Sequence, residues 1–170
     1  YIPPGVKVYV KEHPAQGELC RSEEFYKAMM AYPNVTFVPR SCDTFKLAEH
    51  AQAVATVTGT AGIEALFLGK PVFLFGHRFY QYAPGVYRIH SAKDCKRAVK
   101  EIFEEKRKPT LRDMRIFLKA IDESSVSLVG GPPKPNSILL AESMRLVGAM
   151  IRDTLEPLFA SAHSGRGVTM

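Results

Sequence analysis

Short apolar runs rich in β-branched residues alternate along the chain with segments whose apolar residues recur at helical spacing. The runs predict five strands, at residues 6–10, 35–38, 53–57, 72–75 and 86–89. Helices are predicted at residues 22–32, after Asp43, and at 62–68, 94–106, 111–125 and 137–159. Strands that alternate with helices, three of them almost entirely apolar, predict an α/β fold with a Rossmann-like parallel sheet covered by helices on both faces.

Polar and glycine residues mark where these elements begin and end. Ser22 and Asp43 are expected helix N-caps, and Gly69 is expected to close the helix at 62–68. The helix after Asp43 should turn Phe45, Leu47 and Ala48 toward the core.

The strongest break in the chain is the Gly/Pro-rich stretch 130–136. We therefore expect a Rossmann-like domain at 1–130, a helix at 131–160 that packs on it or on another domain, and a flexible tail at 161–170. Because residue 1 is a tyrosine and a strand follows within a few residues, we expect a fragment of a longer protein.

Composition narrows the classes of function. The 170 residues are 46% hydrophobic and 24% charged, ordinary values for a soluble globular protein. Three widely spaced cysteines fit neither a zinc knuckle nor a disulfide framework, which favours a reducing cytoplasm. The net charge of +6 suits phosphorylated ligands or anionic lipid. Nucleic-acid binding is not indicated, because the sequence has no basic strip interleaved with aromatic residues.

The segment Thr58–Gly62 follows the third strand and opens a helix. Unpaired N–H groups and the helix dipole would make this turn a phosphate site, to which Thr58 and Thr60 add hydroxyls and where Gly59 and Gly62 allow close approach. Glu64, one turn into the helix, would accept hydrogen bonds from a sugar hydroxyl. A plain strand-to-helix connection explains the same residues equally well.

Two other loops follow predicted strands, and in parallel α/β sheets ligands bind beyond the carboxyl ends of the strands. Residues 11–14 (Lys-Glu-His-Pro) place a cation, a carboxylate and an imidazole at one strand end, although a simple surface turn is an alternative. In the loop that starts at Gly76, His77 or Arg78 would face the same crevice. Tyr80 or Phe79 would stack on a base or sugar, although packing beneath the loop is the preferred interpretation for Phe79.

The sequence lacks the motifs of several other kinds of catalytic and binding site. It contains no nucleophile–base–orienter set, no zinc spacing and no Walker loop, and the glycine segment lacks the G-x-G-x-x-G spacing of dinucleotide folds. Neither a metal nor a resident cofactor is therefore expected, and a dehydrogenase or ATPase is disfavoured.

Several segments together resemble the capsule polysaccharide biosynthesis family, bacterial glycosyltransferases that include the Kdo transferases of capsule export systems. The resemblance covers about residues 6–89 and rests on residues 10–14, 33–35, 58–65, 69–72, 75–76 and 79–80. It implies a GT-B fold, in which two Rossmann-like domains enclose a cleft, and this chain looks like the C-terminal, donor-binding half.

In the resembling enzymes a His-Pro pair and a Ser/Thr-Gly-Thr loop hold the cytidine monophosphate of CMP-Kdo. The resemblance implies that His13 is the catalytic residue, contacting the phosphate or assisting its departure, and that Glu64 meets the ribose hydroxyls. The other expected substrate-binding residues are Lys11, Glu12, Pro14, Thr58, Gly59, Thr60, Gly62 and His77.

The resulting hypothesis is the donor-binding domain of a glycosyltransferase that makes capsular or surface polysaccharide. The enzyme is expected in the cytoplasm or at the periphery of the inner membrane. Its expected partners are a CMP- or UDP-linked sugar, a glycan or glycolipid acceptor, and an N-terminal domain of the same protein. The alternatives are a sugar-nucleotide 2-epimerase and a non-catalytic module that docks a partner or the inner membrane.

Overall fold

A computed structural model describes residues 1–15, 21–125 and 144–153. The strands are β1 (Val8–Val10), β2 (Val35–Phe37), β3 (Val54–Thr56), β4 (Val72–Leu74) and β5 (Val86–Arg88). The helices are α1 (Glu23–Met30), α2 (Thr44–His50), α3 (Ala61–Phe67), α4 (Ala92–Val99) and α5 (Leu111–Ser124), and α4 continues as a π-helical segment at Lys100–Glu104. Residues 144–153 are also helical.

All strand pairs of the described residues are parallel, which confirms the α/β class. They form two sheets, however, and not the single sheet expected from the alternation of elements. β1 pairs with β2 from Val8 opposite Val35, and the second sheet has the order β3-β4-β5 with Val54 opposite Val72 and Val72 opposite Val86.

β4 is the strand around which the larger sheet is built. It has a neighbour on each side, and all three of its residues are buried. β1, β2 and β3 instead alternate between half-buried and exposed positions, the pattern of strands that pack only one face on the core. The expectation of several strands buried on both faces therefore holds for β4 and not for β3.

The predicted helix ends are confirmed by their hydrogen bonds. The Ser22 hydroxyl accepts from the Phe25 N–H, and the Asp43 carboxylate accepts from the Phe45 and Lys46 N–H groups. Gly69 follows α3 with φ +68°, the left-handed conformation that ends a helix most cheaply at glycine.

The buried face of α2 differs from the prediction at one position. Ala48 is buried and Leu47 half-buried, but Phe45 is 50% exposed. A helix of seven residues has room for only a narrow buried stripe, and Phe45 lies outside it.

Two apolar clusters hold the larger sheet. One joins β4 to α3, to the loop after β4 and to α5, through the buried residues Ala65, Leu66, Val72, Leu74, Tyr80, Ala83 and Met114. The other packs Phe73 and Ile89 against Ala98, Val99 and Ile102, which confirms the predicted apolar face of the helix at 94–106. β4 contributes to both clusters because alternate side chains of a strand point to opposite faces.

The chain divides into two compact units, Tyr1–Phe117 and Leu118–Met170, and both sheets belong to the first. The predicted break at 130–136 and tail at 161–170 lie outside the described residues, as does most of the predicted last helix. In the portions of the chain that are described, no helix combines the length and apolar character needed to cross a bilayer.

Truncation of a β4 side chain should test how much this strand contributes to stability. Leu74 is fully buried, so Leu74→Ala should lower the free energy of unfolding by about 2–5 kcal/mol through lost burial and a residual cavity. The same change at Leu111, which is 61% exposed, should cost no more than about 0.5 kcal/mol. Urea denaturation of both variants makes the comparison, and equal losses would contradict this account of the core.

Candidate functional site

A cleft of about 1220 Å³ within the first unit is lined by residues of both sheets. Ligand pockets typically measure about 300–1,000 Å³, so the space suffices for a nucleotide-sized molecule. Eight of the ten expected site residues line it: Lys11, Glu12, His13, Pro14, Thr58, Gly59, Thr60 and Glu64. The turn after β1 and the loop after β3 therefore face one cavity.

His13 lies at the turn after β1, with its imidazole exposed. Its Nδ1 accepts a hydrogen bond from the Ala15 N–H at 3.1 Å. A neutral imidazole that accepts at one nitrogen carries its hydrogen on the other, so this contact favours the tautomer with hydrogen on Nε2. His13 is therefore arranged to present a donor at Nε2.

Glu12, the neighbour of His13, is occupied by contacts within the protein. Its carboxylate accepts from the Tyr26 hydroxyl at 2.6 Å and from Arg40 at 3.2 Å, and the Arg21 Nε lies 3.6 Å away. The hydrogen bond from Tyr26, together with the charges of Arg40 and Arg21, holds the pKa of Glu12 below its ordinary value of 4.5. These contacts connect the end of β1 to α1 and to the segment after β2, so Glu12 stabilises the turn that carries His13.

The loop Thr58–Thr60 is shaped by hydrogen bonds to the N–H and the carbonyl of Gly59. The Gly59 N–H donates to Thr56 Oγ1 at 3.0 Å, and the Gly59 carbonyl accepts from the Gly62 N–H at 3.3 Å and from the Tyr80 hydroxyl. The expectation that this loop offers a row of outward N–H groups is therefore wrong for Gly59. Thr58 and Thr60 themselves are exposed.

The helix dipole contributes less here than the sequence suggested. α3 has only seven residues, and its N-cap residue Thr60 makes no side-chain capping bond. Fewer aligned peptide dipoles give a weaker field at the end of the helix. Attraction of an anion to this cleft has to come mainly from its side chains.

Two of the ten expected residues lie elsewhere. Gly62 is buried, and a Cβ built on it would approach two ring carbons of Tyr80 to 2.9 Å, so its lack of a side chain serves packing and not ligand approach. His77 has its Nδ1 3.1 Å from Gln81 Oε1 and its ring centroid 5.7 Å from that of His90. Arg78 lines the cleft in place of His77. His77 was the expected contact, but a loop without periodicity does not reveal which side chain turns inward.

The packing preferred for Phe79 is wrong, and it is Tyr80 that packs beneath this loop. Phe79 is 62% exposed, whereas Tyr80 is completely buried and meets Phe79 edge to face with centroids 5.4 Å apart. Tyr80 therefore provides the packing that was expected of Phe79.

The charges on the cleft wall favour an anion. Glu12 is already compensated by two arginines, and among the described residues neither Lys11 nor Arg78 forms an ion pair. Lys11 is half-buried, so its charge acts in a less polar environment than bulk water and is screened less by salt. The cleft thus offers three cations (Lys7, Lys11 and Arg78) and two threonine hydroxyls, with Glu64 as an acceptor nearby.

No cluster of three or more His, Cys, Asp or Glu side chains suited to a metal ion occurs in the described ranges. A second, smaller cavity of about 380 Å³ is lined by residues of β5 and α4, among them Arg88, His90 and Arg97. Its lining shares no residue with that of the larger cleft.

Comparison with protein families gives one match. The sequence profile of the family described as "Capsule polysaccharide biosynthesis protein" matches residues 2–119, which is more than half of the chain and includes every residue of the cleft. Searches among curated proteins and among solved structures returned no match.

Replacement of Glu12 by glutamine should change how stability depends on pH. Because the folded-state pKa of Glu12 is lowered, its carboxylate contributes stability above about pH 4.5, and this contribution is lost as the pH falls through the folded-state value. Glu12→Gln should therefore be less stable than the wild type at pH 7, with the difference shrinking in more acidic buffer.

Thermal unfolding followed at several pH values provides the measurement. Glu23→Gln is the matched control, because Glu23 is exposed and pairs with Lys27 on the surface of α1. A difference between wild type and Glu12→Gln that stays constant down to about pH 3 would contradict the role given to this carboxylate.

Proposed function

The chain belongs to the capsule polysaccharide biosynthesis family, and on this premise we propose that its cleft binds the nucleotide-sugar donor of a glycosyltransferase. The family supports a role in capsule synthesis and, at a coarse level, a glycosyltransferase-like activity. The proposed donor is CMP-Kdo, with uridine-linked sugars as the competing class, and the proposed acceptor is a glycan or glycolipid.

One observation supports this proposal above the others. His13 and Lys11 from the turn after β1, Thr58 and Thr60 from the loop after β3, and Arg78 from the loop after β4 all line the same cleft. Hydrogen-bond donors and cations from three separate loops complement a phosphate better than any other common ligand group.

Each of these groups has a role in the proposed complex. His13 donates from Nε2 to a phosphate oxygen, Lys11 and Arg78 neutralise its charge, and the two threonine hydroxyls donate further hydrogen bonds. Glu64, which lines the cleft one turn into α3, accepts from the ribose hydroxyls.

The proposed reaction breaks the bond between the anomeric carbon and the phosphate oxygen, and the nucleotide monophosphate leaves with the electron pair. An acceptor hydroxyl forms the new glycosidic bond and loses its proton to a base that we place on a second domain. Donors and cations already aimed at the departing phosphate stabilise the negative charge that develops on it.

In this proposal the chain supplies the C-terminal, donor-binding half of a GT-B enzyme, and an N-terminal domain of the same protein supplies the acceptor site. The enzyme works in the cytoplasm, at or near the inner membrane to which a glycolipid acceptor is anchored. Side chains, and not a metal ion, compensate the phosphate charge.

Calorimetric titration of the chain with CMP and with UDP tests the proposal. CMP should bind, and His13→Ala should weaken binding roughly tenfold or more, the order expected for a lost hydrogen bond to a charged group. His13→Gln should recover part of the affinity, because an amide N–H can replace the donor at Nε2.

His90→Ala is the matched control, since His90 is an exposed histidine that lines the smaller cavity. It should leave the affinity for CMP unchanged. No heat with either nucleotide from folded protein, or equal losses in His13→Ala and His90→Ala, would count against a donor site in this cleft.

A further inference from the structure

We propose that Tyr80 is a positioning residue that holds the loop Thr58–Thr60 in its binding shape before any ligand arrives. The expected effect on nucleotide affinity rests on the proposed function. The expected effect on the order of the loop does not, because it concerns the chain without ligand. Tyr80 lies outside the lining of the cleft, so it acts through the loop and not by touching the nucleotide.

The position of Tyr80 is fixed by the core. The side chain is completely buried in the cluster that contains Leu66, Leu74 and Met114. A tyrosine packed on all sides loses its rotational freedom when the protein folds, and its hydroxyl therefore points in one direction. That direction is the Gly59 carbonyl, to which the hydroxyl donates.

Gly59 is therefore held through both its N–H and its carbonyl, which belong to the two peptide groups that flank it. Tyr80 and the Gly62 N–H bind its carbonyl oxygen, and Thr56 Oγ1 accepts its N–H at 3.0 Å. Thr58 precedes Gly59 and Thr60 follows it, so neither can move far while Gly59 is held. Their hydroxyls are thus preorganised toward the cleft, which spares the ordering entropy otherwise lost on binding.

Gly62 shows that the loop and the tyrosine ring are fitted to each other. A Cβ at this position would lie 2.9 Å from two ring carbons of Tyr80, a distance at which one of the groups must shift. The start of α3 therefore rests directly on the ring, and the hydroxyl reaches Gly59 three residues earlier in the chain.

The same tyrosine lies close to two charged residues of the cleft. Burial raises the pKa of the Tyr80 hydroxyl, while nearby Arg78 lowers it and nearby Glu64 raises it. The hydroxyl consequently keeps its proton across the physiological range and remains a donor. Arg78 is two residues from Tyr80 in the same loop, so anchoring of Tyr80 also limits where the Arg78 side chain can reach.

Tyr80→Phe tests the proposal, because it removes the hydroxyl and keeps the ring. In ligand-free protein, the amides of Gly59 and Gly62 should exchange hydrogen about tenfold faster relative to the Val72 amide, which reports on β4 in the core. The affinity for CMP should fall about fivefold, the order of one net hydrogen bond.

Thr56→Val provides a second approach that leaves the core intact. It removes the acceptor of the Gly59 N–H in an isosteric side chain, and the same loop amides should exchange faster with a similar loss of affinity. Thr56→Ser keeps the hydroxyl and should restore both. If Tyr80→Phe does not fold, unchanged exchange of the Gly62 amide in Thr56→Val still overturns the proposal, because it would show that holding Gly59 does not order the loop.

Tyr87→Phe is the control for losing a tyrosine hydroxyl as such. Tyr87 lies in β5, and its hydroxyl lies near Glu101 and not near the loop. This variant should show the wild-type exchange ratio and the wild-type affinity.

The outcomes separate this inference from the proposed function. Unchanged exchange of the loop amides in folded Tyr80→Phe would overturn it, as would faster exchange with unchanged affinity for a nucleotide that the wild type binds. A folded wild type that binds neither CMP nor UDP would refute the proposed function, and the exchange measurement would then decide alone whether Tyr80 holds the loop.

Discussion

The packing of Tyr80 against β4 and α3 is the contact on which the geometry of the cleft most depends. It joins two loops that are far apart in the sequence, one after β3 and one after β4, through a single hydroxyl and the ring beneath it. A loop hydrogen bond at the surface would compete with water, but this one is made by a completely buried side chain. The threonines that face the cleft therefore take their positions from the hydrophobic core.

The turn after β1, which also lines the cleft, is held by charged groups instead of apolar packing. Glu12 draws together Tyr26 from α1 and Arg40 from the segment after β2, and His13 follows Glu12 directly. Because the carboxylate is compensated within the protein, it does not repel an anion as a free carboxylate would. Glu12 thus supports the turn that carries His13, and the cationic character of the cleft comes from Lys7, Lys11 and Arg78.

Local features were predictable from the sequence, since they depend on neighbours in the chain. Ser22, Asp43 and Gly69 end their helices as their chemistry requires, and the strands form where β-branched residues are concentrated. The division into two sheets was not predictable, because periodicity shows that a segment is a strand and does not show its partner.

The location of the candidate site was predictable from the sequence, but the contacts of its individual residues were not. The rule that ligands bind at the carboxyl ends of parallel strands led to the three loops that line the cleft. It could not show that Gly59 has its peptide groups satisfied internally, or that the loop after β4 turns Arg78 and not His77 toward the cleft. Both facts are tertiary contacts, which leave no signal in the spacing of residues.

A two-dimensional NMR titration with CMP tests the central claim most directly, because it observes both walls of the cleft in one sample. The account predicts that the backbone amides of His13 and Thr60 shift together along a single binding curve. Shifts confined to one of these segments, or centred on His90 and Arg97 at the smaller cavity, would contradict it.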